Sequence, residues 1–225
     1  MSDNRAFKTL SKVPYFSEIA ESDLMVIAKA AVQKNFDPEQ AVFLEGDPSP
    51  GLYVVEKGWF KIVKISPNGR EQVINFIGPG EAFNALSLFA DIPNPASAIA
   101  LESSTAWLVR QEIMLQMLDA YPKLAKAVIR ILAGRVQHLV SLVEDLSLRS
   151  VEARLARLLL EQANGETVHR QQWATQSELA ARLGTVMDVL SRALRKLAEE
   201  GIIQVSRHQI QILDLAELEA RAKYE

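Results

Sequence analysis

Asp188, Ser191 and Arg192 stand at i, i+3 and i+4 in the run MDVLSRALRKLAEE. On a helix that spacing puts a carboxylate, a hydroxyl and a guanidinium on one face. These groups can read base edges in a DNA major groove. A guanidinium donates to guanine O6 and N7 together, a carboxylate accepts from cytosine N4, and a hydroxyl does either. The trio lies in the N-terminal half of its helix, the part that reaches base edges in a helix-turn-helix. Arg195 and Lys196, a turn later, suit phosphates; a solvated helix face is the competing reading for those two. Val189 (or Leu190), Ala193, Leu194 and Leu197 would face inward. Segment 182–196 carries Arg182, Arg192, Arg195 and Lys196 against the one acid Asp188, a local basic surface.

The elements around this helix must hold it out. Thr175-Gln176-Ser177-Glu178 reads as a capping box opening a first helix to Leu183. Gly184-Thr185 is a tight turn, Val186–Glu200 the second helix, and Gly201 its stop. IIQV and QIQIL then form a hairpin across Ser206–His208, and Glu166–Gln171 reads as a short strand. Two short helices joined by a glycine turn and followed by a hairpin make a winged helix-turn-helix. A generic small α+β domain is the plainer alternative. Thr175 and Ser177 complete the expected DNA-binding set. Upstream, Ser150 can cap the helix VEARLARLLLEQA, which ends near Asn164-Gly165.

Between Tyr121 and Leu146 the apolar residues are Ala125, Ile129, Leu132, Val136, Leu139, Val143 and Leu146. Steps of four and three make a heptad seam. Pro122 fits a first helical position. Such a helix is about 39 Å long, too long to hide in a small domain. The seam asks for the same helix of a second copy, so Ile129, Leu132, Val136, Leu139, Val143 and Leu146 are the expected dimer interface. Val128, Val140 and Leu142 widen the stripe, so its other edge can pack on the chain's own N-terminal half. The pattern breaks at 147–150, a candidate hinge.

Residues 5–35 read as short helices, with Ser22 a candidate cap. From about Phe36 to Leu108 short apolar or alternating runs are separated by DPEQ, GDPSPG, SPNGR, GPGE and DIPNP. That regular spacing predicts a sandwich or closed roll rather than a βαβ sheet, with Asn68-Gly69 a hairpin turn. Trp59, Phe60, Phe76, Phe83 and Phe89 are expected to fill it. A short helix over 111–118 precedes the long one. The fold class is therefore α+β: an N-terminal jelly-roll-like β-roll, a long dimerisation helix and a C-terminal winged helix-turn-helix. The domains are expected at 1–118, 119–148 and 149–225.

Composition narrows the chemistry. The 225 residues include no cysteine, which removes disulfides, thiolate-held zinc and cysteine-ligated iron–sulfur clusters. No run is apolar enough for a membrane span, and MSDNRAFKTLSK lacks a signal peptide's apolar region; a cytoplasmic protein is the expectation. Net charge is −3, so any basic surface must be local. The histidines are His138, His169 and His208. None lies in the expected roll, which speaks against a roll-bound haem or a cupin-type metal centre. No metal site, cofactor or nucleophile–base pair stands out, and the chain does not read as an enzyme.

The whole chain resembles the CRP/FNR superfamily of bacterial transcription regulators. The order of parts is similar, and TQSELAARLGTVMDVLSRALRKLAEEGII is similar to the family's DNA-binding signature, with Glu178, Leu179, Ala180, Gly184, Ser191, Arg192 and Gly201 in place. Asp188-Val-Leu-Ser-Arg192 resembles the Glu-x-x-Ser-Arg element of the FNR-like branch. Asp is one methylene shorter than Glu. Met187 stands where the cyclic-AMP receptor has arginine.

The resemblance implies a ligand site in the roll, expected at Phe83, Asn84, Ala85, Leu86, Ala96, Ser97, Arg135 and Leu139. Cyclic-AMP-binding members carry a Gly-Glu-Leu and an Arg-Ser-Ala element there. Here the charged positions are Ala85 and Ala96, and Leu139-Val140 replaces the adenine-contacting Thr-Ser pair. A buried phosphodiester without a cation is heavily penalised. A small apolar or weakly charged effector, or none, fits better than cyclic AMP. The implied partners are double-stranded DNA at a near-palindromic site, a second copy of the chain, and RNA polymerase. The competing function is a small-molecule-binding roll with weak or vestigial DNA binding.

Overall fold

The computed structural model describes residues 2–17, 19–169, 173–206 and 209–223. The chain runs through α1 (Ser2–Leu10), α2 (Glu21–Ala30), β1 (Val32–Phe36), β2 (Ala41–Phe43), β3 (Gly51–Lys57), β4 (Phe60–Ile65), β5 (Glu71–Ile77) and β6 (Ala82–Phe83). A short α3 (Ala85–Ala90), β7 (Ser97–Ala100), β8 (Ser104–Arg110), α4 (Gln111–Ala120) and the 27-residue α5 (Pro122–Leu148) follow. The C-terminal part is α6 (Val151–Gln162), β9 (Thr167–His169), α7 (Gln176–Arg182), α8 (Met187–Glu199), β10 (Ile203–Val205), β11 (Gln209–Ile212) and α9 (Leu215–Arg221).

Two compact units result: residues up to Lys64 with Ile74–His138, and Ile65–Val73 with Leu139 onward. In the first, the strands form two four-stranded sheets of order β1-β8-β3-β6 and β2-β7-β4-β5. The pairs β1–β8, β3–β8, β3–β6, β2–β7 and β4–β7 are antiparallel, which is the expected roll. Its aromatic core gathers Phe36, Phe43, Tyr53, Phe60 and Phe83. Tyr53 and Phe83 stack 5.0 Å apart at 9°. Such contacts add to what burial alone contributes.

Of the five aromatics expected to fill the roll, two lie in its core. Phe60 and Phe83 are inside, but Trp59 lies over Gly78, where a Cβ would meet its ring at 2.7 Å. Phe76 is half-buried, and Phe89 packs on a separate cluster of α1, α2, α4 and the start of α5. Phe36, Phe43 and Tyr53 take the vacated places, because the pleat of β1, β2 and β3 points them between the sheets.

Several local expectations shift. Ser22 does not cap α2; Ala20 holds that place, one residue before the helix, with no side-chain cap. The helical reading of 5–35 also overruns: Val32–Phe36 is the edge strand β1, paired with β8 from Val32–Leu108 to Phe36–Ser104. No helix is expected over 85–90; α3 is only six residues long and follows Asn84, at φ 72°, with no side-chain cap bond.

The second unit holds its own core of Leu155, Leu159, Leu190, Leu194, Leu197, Ile203, Ile210, Ile212 and Leu218 among others. Its sheet has the order β10-β11-β9. Ser150 caps α6 as expected, accepting from Ala153 N at 3.2 Å. The predicted strand to Gln171 ends, in the described residues, at His169; Arg170 and Gln171 lie outside them, as do Arg207 and His208 of the expected wing turn.

Candidate functional site

α8 buries Leu190, Ala193, Leu194 and Leu197 and leaves Asp188, Arg192 and Arg195 exposed. Its apolar face is fixed by α6 and the small sheet, so the polar face must point to solvent. Val189 stays half-buried while Leu190 takes the core position. Ser191 is half-buried at the margin of the polar face.

α7 is placed by Thr175, whose hydroxyl accepts from Glu178 N at 3.2 Å. The reciprocal arm of the expected capping box is missing. Thr175 N donates to Trp173 O at 2.8 Å instead, so its backbone donor is already used. Thr175 and Ser177 are both exposed. The turn to α8 needs Gly184, at φ 63°. A Cβ there would fall 2.5 Å from Leu146 Cδ2 and 3.3 Å from Arg154 Nη1. Arg154 donates to the Leu183 carbonyl just before this turn.

The basic surface is smaller than the sequence suggested. Arg182 turns inward, half-buried, and burial pulls its pKa below the ordinary arginine value. Lys196 is exposed but engaged: its ammonium lies 2.7 Å from Glu152. Arg221 meets the same carboxylate at 2.6 Å, Glu200 at 2.8 Å and Glu217 at 2.9 Å. Burial pushes the Glu152 carboxyl up, but hydrogen bonds from Lys196 and Arg221 outweigh it and hold it below the ordinary value. The Glu152 hydrogen bond in turn raises Lys196. On α8, Arg192 and Arg195 are exposed beside it.

One neighbour of this face was passed over in the sequence. Gln176, the first residue of α7, is exposed, and Ser191 Oγ donates to its Oε1 at 3.3 Å. Its place between Thr175 and Ser177, both singled out, was the available signal.

Along α5, Leu124, Ala127 and Val128 are buried against the first unit's helices. Ile129, Val136 and Val143 are 66%, 59% and 63% exposed, and Leu139 and Val140 are also exposed. Leu132 is half-buried, and Leu146 is partly covered by the turn at Gly184. An apolar stripe of this length on one helix face asks for a partner. His138 is exposed, its Nε2 3.3 Å from Ile74 O.

In the roll, Ala85 and Ala96 are 0% and 5% exposed, so no charge stands at either place. The Asn84 amide donates to Ser49 Oγ and Gly51 O, both at 3.0 Å. Ser97 Oγ accepts from Glu45 N at 3.0 Å. Arg135 donates to Ala82 O. Phe83 is buried in the aromatic core, while Leu86 is exposed. Leu139 belongs to the second unit. Among the described residues, no group of three or more His, Asp or Glu could hold a metal ion, and no helix is long and apolar enough to cross a membrane.

Two domain families match the chain. The cyclic nucleotide-binding domain matches residues 33–121, and the Crp-like helix-turn-helix domain matches residues 153–221. The chain is 26% identical over 220 residues to a CRP-like cAMP-activated global transcriptional regulator of Mycobacterium tuberculosis, covering 95% of this chain and 98% of that one. It is 27% identical over 209 residues to the cyclic AMP receptor protein of Thermus thermophilus, covering 92% and 95%. Its fold is similar to that of FixK2 from Bradyrhizobium japonicum, with a TM-score of 0.76, 21% identity, and 86% and 98% of the two chains covered.

Proposed function

The chain belongs to the CRP/FNR superfamily of transcription regulators, and we propose that it acts as a homodimer that reads a near-palindromic DNA site without cyclic AMP. The observation that carries the reading is the two-sided α8: a leucine face locked in the core, and Asp188, Arg192 and Arg195 held out in solvent. Asp188, Ser191 and Arg192 contact bases; Thr175, Ser177, Arg195 and Lys196 serve the backbone. For Lys196 the DNA phosphate must compete with Glu152.

The exposed stripe on α5 supports a parallel pair of these helices, with Ile129, Leu132, Val136, Leu139 and Val143 as the seam. Leu146 serves the seam with the part that the Gly184 turn leaves open. Two reading helices about 34 Å apart then meet successive major grooves. The relative from Mycobacterium tuberculosis is described as cAMP-activated. Here the alanines at 85 and 96 leave a cyclic phosphate without a cation. The polar side chains Asn84 and Ser97 are already bonded within the chain. The protein works in the cytoplasm, engages RNA polymerase and performs no catalysis.

A second reading, a small-molecule-binding roll with vestigial DNA binding, is favoured by one detail. Asn94 is buried, and neither end of its carboxamide has a hydrogen-bond partner, a state that asks for an explanation such as a ligand or an ordered water. Selection from a random duplex pool with the purified protein, paired with sedimentation equilibrium, separates the two. A dimer that enriches a two-fold symmetric site is expected. A monomer that enriches nothing overturns the proposal and favours the second reading.

A further inference from the structure

The pairing of Gln176 with Ser191 has a consequence for which base the protein selects. A serine hydroxyl has one hydrogen to donate and lone pairs to accept with. Ser191 gives that hydrogen to Gln176 Oε1 at 3.3 Å. Its oxygen is then left to act as an acceptor. With Oε1 turned to the serine, the other end of the amide is the Nε2 group, a donor. Gln176 and Ser191 come from different helices, 15 residues apart, and their side chains meet beside exposed Arg192. The pair thus offers an acceptor next to a donor.

Among the four bases, one presents the complement in the major groove. Adenine shows the N6 amine as donor beside N7 as acceptor. Guanine and thymine would place an acceptor against the serine oxygen. Cytosine's amine has its neighbouring acceptor on the paired guanine, towards the other strand, and none at the N7 place, so a C·G preference at that position would overturn the proposal. We propose that Gln176 is a second base-reading residue that fixes Ser191 as an acceptor, and that the pair selects adenine at one position of each half-site. The inference rests on the DNA-reading function above.

The test uses the full-length protein and the duplex it selects, at one fixed salt concentration. The adenine nearest the position affected by Ser191→Ala is replaced in turn by purine, which lacks the N6 amine, and by 7-deazaadenine, which lacks N7. Loss of the amine is expected to weaken the wild type about tenfold and to leave Ser191→Ala indifferent. Loss of N7 is expected to weaken the wild type similarly and to leave Gln176→Ala indifferent. Gln176→Ala also frees the Ser191 hydroxyl to donate, so guanine or thymine becomes tolerated there. Both side chains reach the surface, so thermal melts should show each variant folded.

Equal weakening of Gln176→Ala on every sequence would make Gln176 a phosphate contact and overturn the proposal. So would a wild-type preference for guanine or thymine at that position, which would mean that the amide is turned the other way. A wild type that selects no DNA at all overturns the DNA-reading function itself. A selected site without adenine discrimination overturns only this inference.

Discussion

The roll and the winged helix treat their polar residues in opposite ways. In the roll, Ala85 and Ala96, where the resemblance implies a ligand site, are buried. The neighbouring Asn84 donates to Ser49 and Gly51, and Ser97 accepts from Glu45 N. In the winged helix, Asp188, Arg192 and Arg195 are exposed with an apolar face beneath them. One framework thus buries small and internally bonded residues at one expected site and presents ionic groups to solvent at the other. A fold positions a site, while the side chains decide what the site binds.

The largest expected effect breaks the roll alone. Phe60 is fully buried and touches Phe36 and Phe83 at centroid distances of 5.6 and 5.3 Å. Phe60→Ala should cost about 3–5 kcal/mol. Because the two compact units have separate cores, calorimetry should show the roll's transition falling while that of the winged helix holds. A single shifted transition would mean that the two units melt together.

Next comes Arg192→Ala, which should cost about 1–3 kcal/mol of DNA binding and relax selectivity at one base pair. Competition binding against single-base variants of the selected site checks it. Lys196→Ala should weaken all sequences evenly and flatten the salt dependence, by less than the change at Arg192, since Glu152 already holds the ammonium.

The smallest effect is a dependence on acidity within the second unit. Glu152 has a folded pKa below its ordinary value of 4.5, after burial is outweighed by Lys196 and Arg221. Its contribution to stability is therefore complete above the unfolded value and is lost as the pH falls through the folded one. Melting of the winged helix should soften under acid, and Glu152→Gln should lose part of that dependence. An unchanged acid profile in the variant would show that the cluster of Glu152, Lys196 and Arg221 contributes nothing net.

How much could be read in advance follows the range of the interactions involved. α8 was legible because its burial repeats every helical turn, and α6 because Ser150 announces it. The roll was legible as a class, from short runs between Gly- and Pro-bearing turns. The edge strand β1 was not. In VQKNF the one buried residue is Phe36, so no alternation distinguishes it from the helix before it. α3 spans six residues, too few for a helical period to show. At the site, the face of Asp188, Ser191 and Arg192 is a local pattern and could be found. The ion pair from Lys196 to Glu152 spans 44 residues, and Gln176 reaches Ser191 across the turn. Neither spacing is a local period; for Gln176 the one sign is its place between Thr175 and Ser177.

The central claim is a reading head that works without the cyclic nucleotide its relatives are named for. Fluorescence anisotropy of the selected duplex, titrated with the purified dimer in the absence and presence of saturating cyclic AMP, tests it most directly. The account predicts two superimposable curves. A curve that tightens tenfold or more with the nucleotide would contradict it.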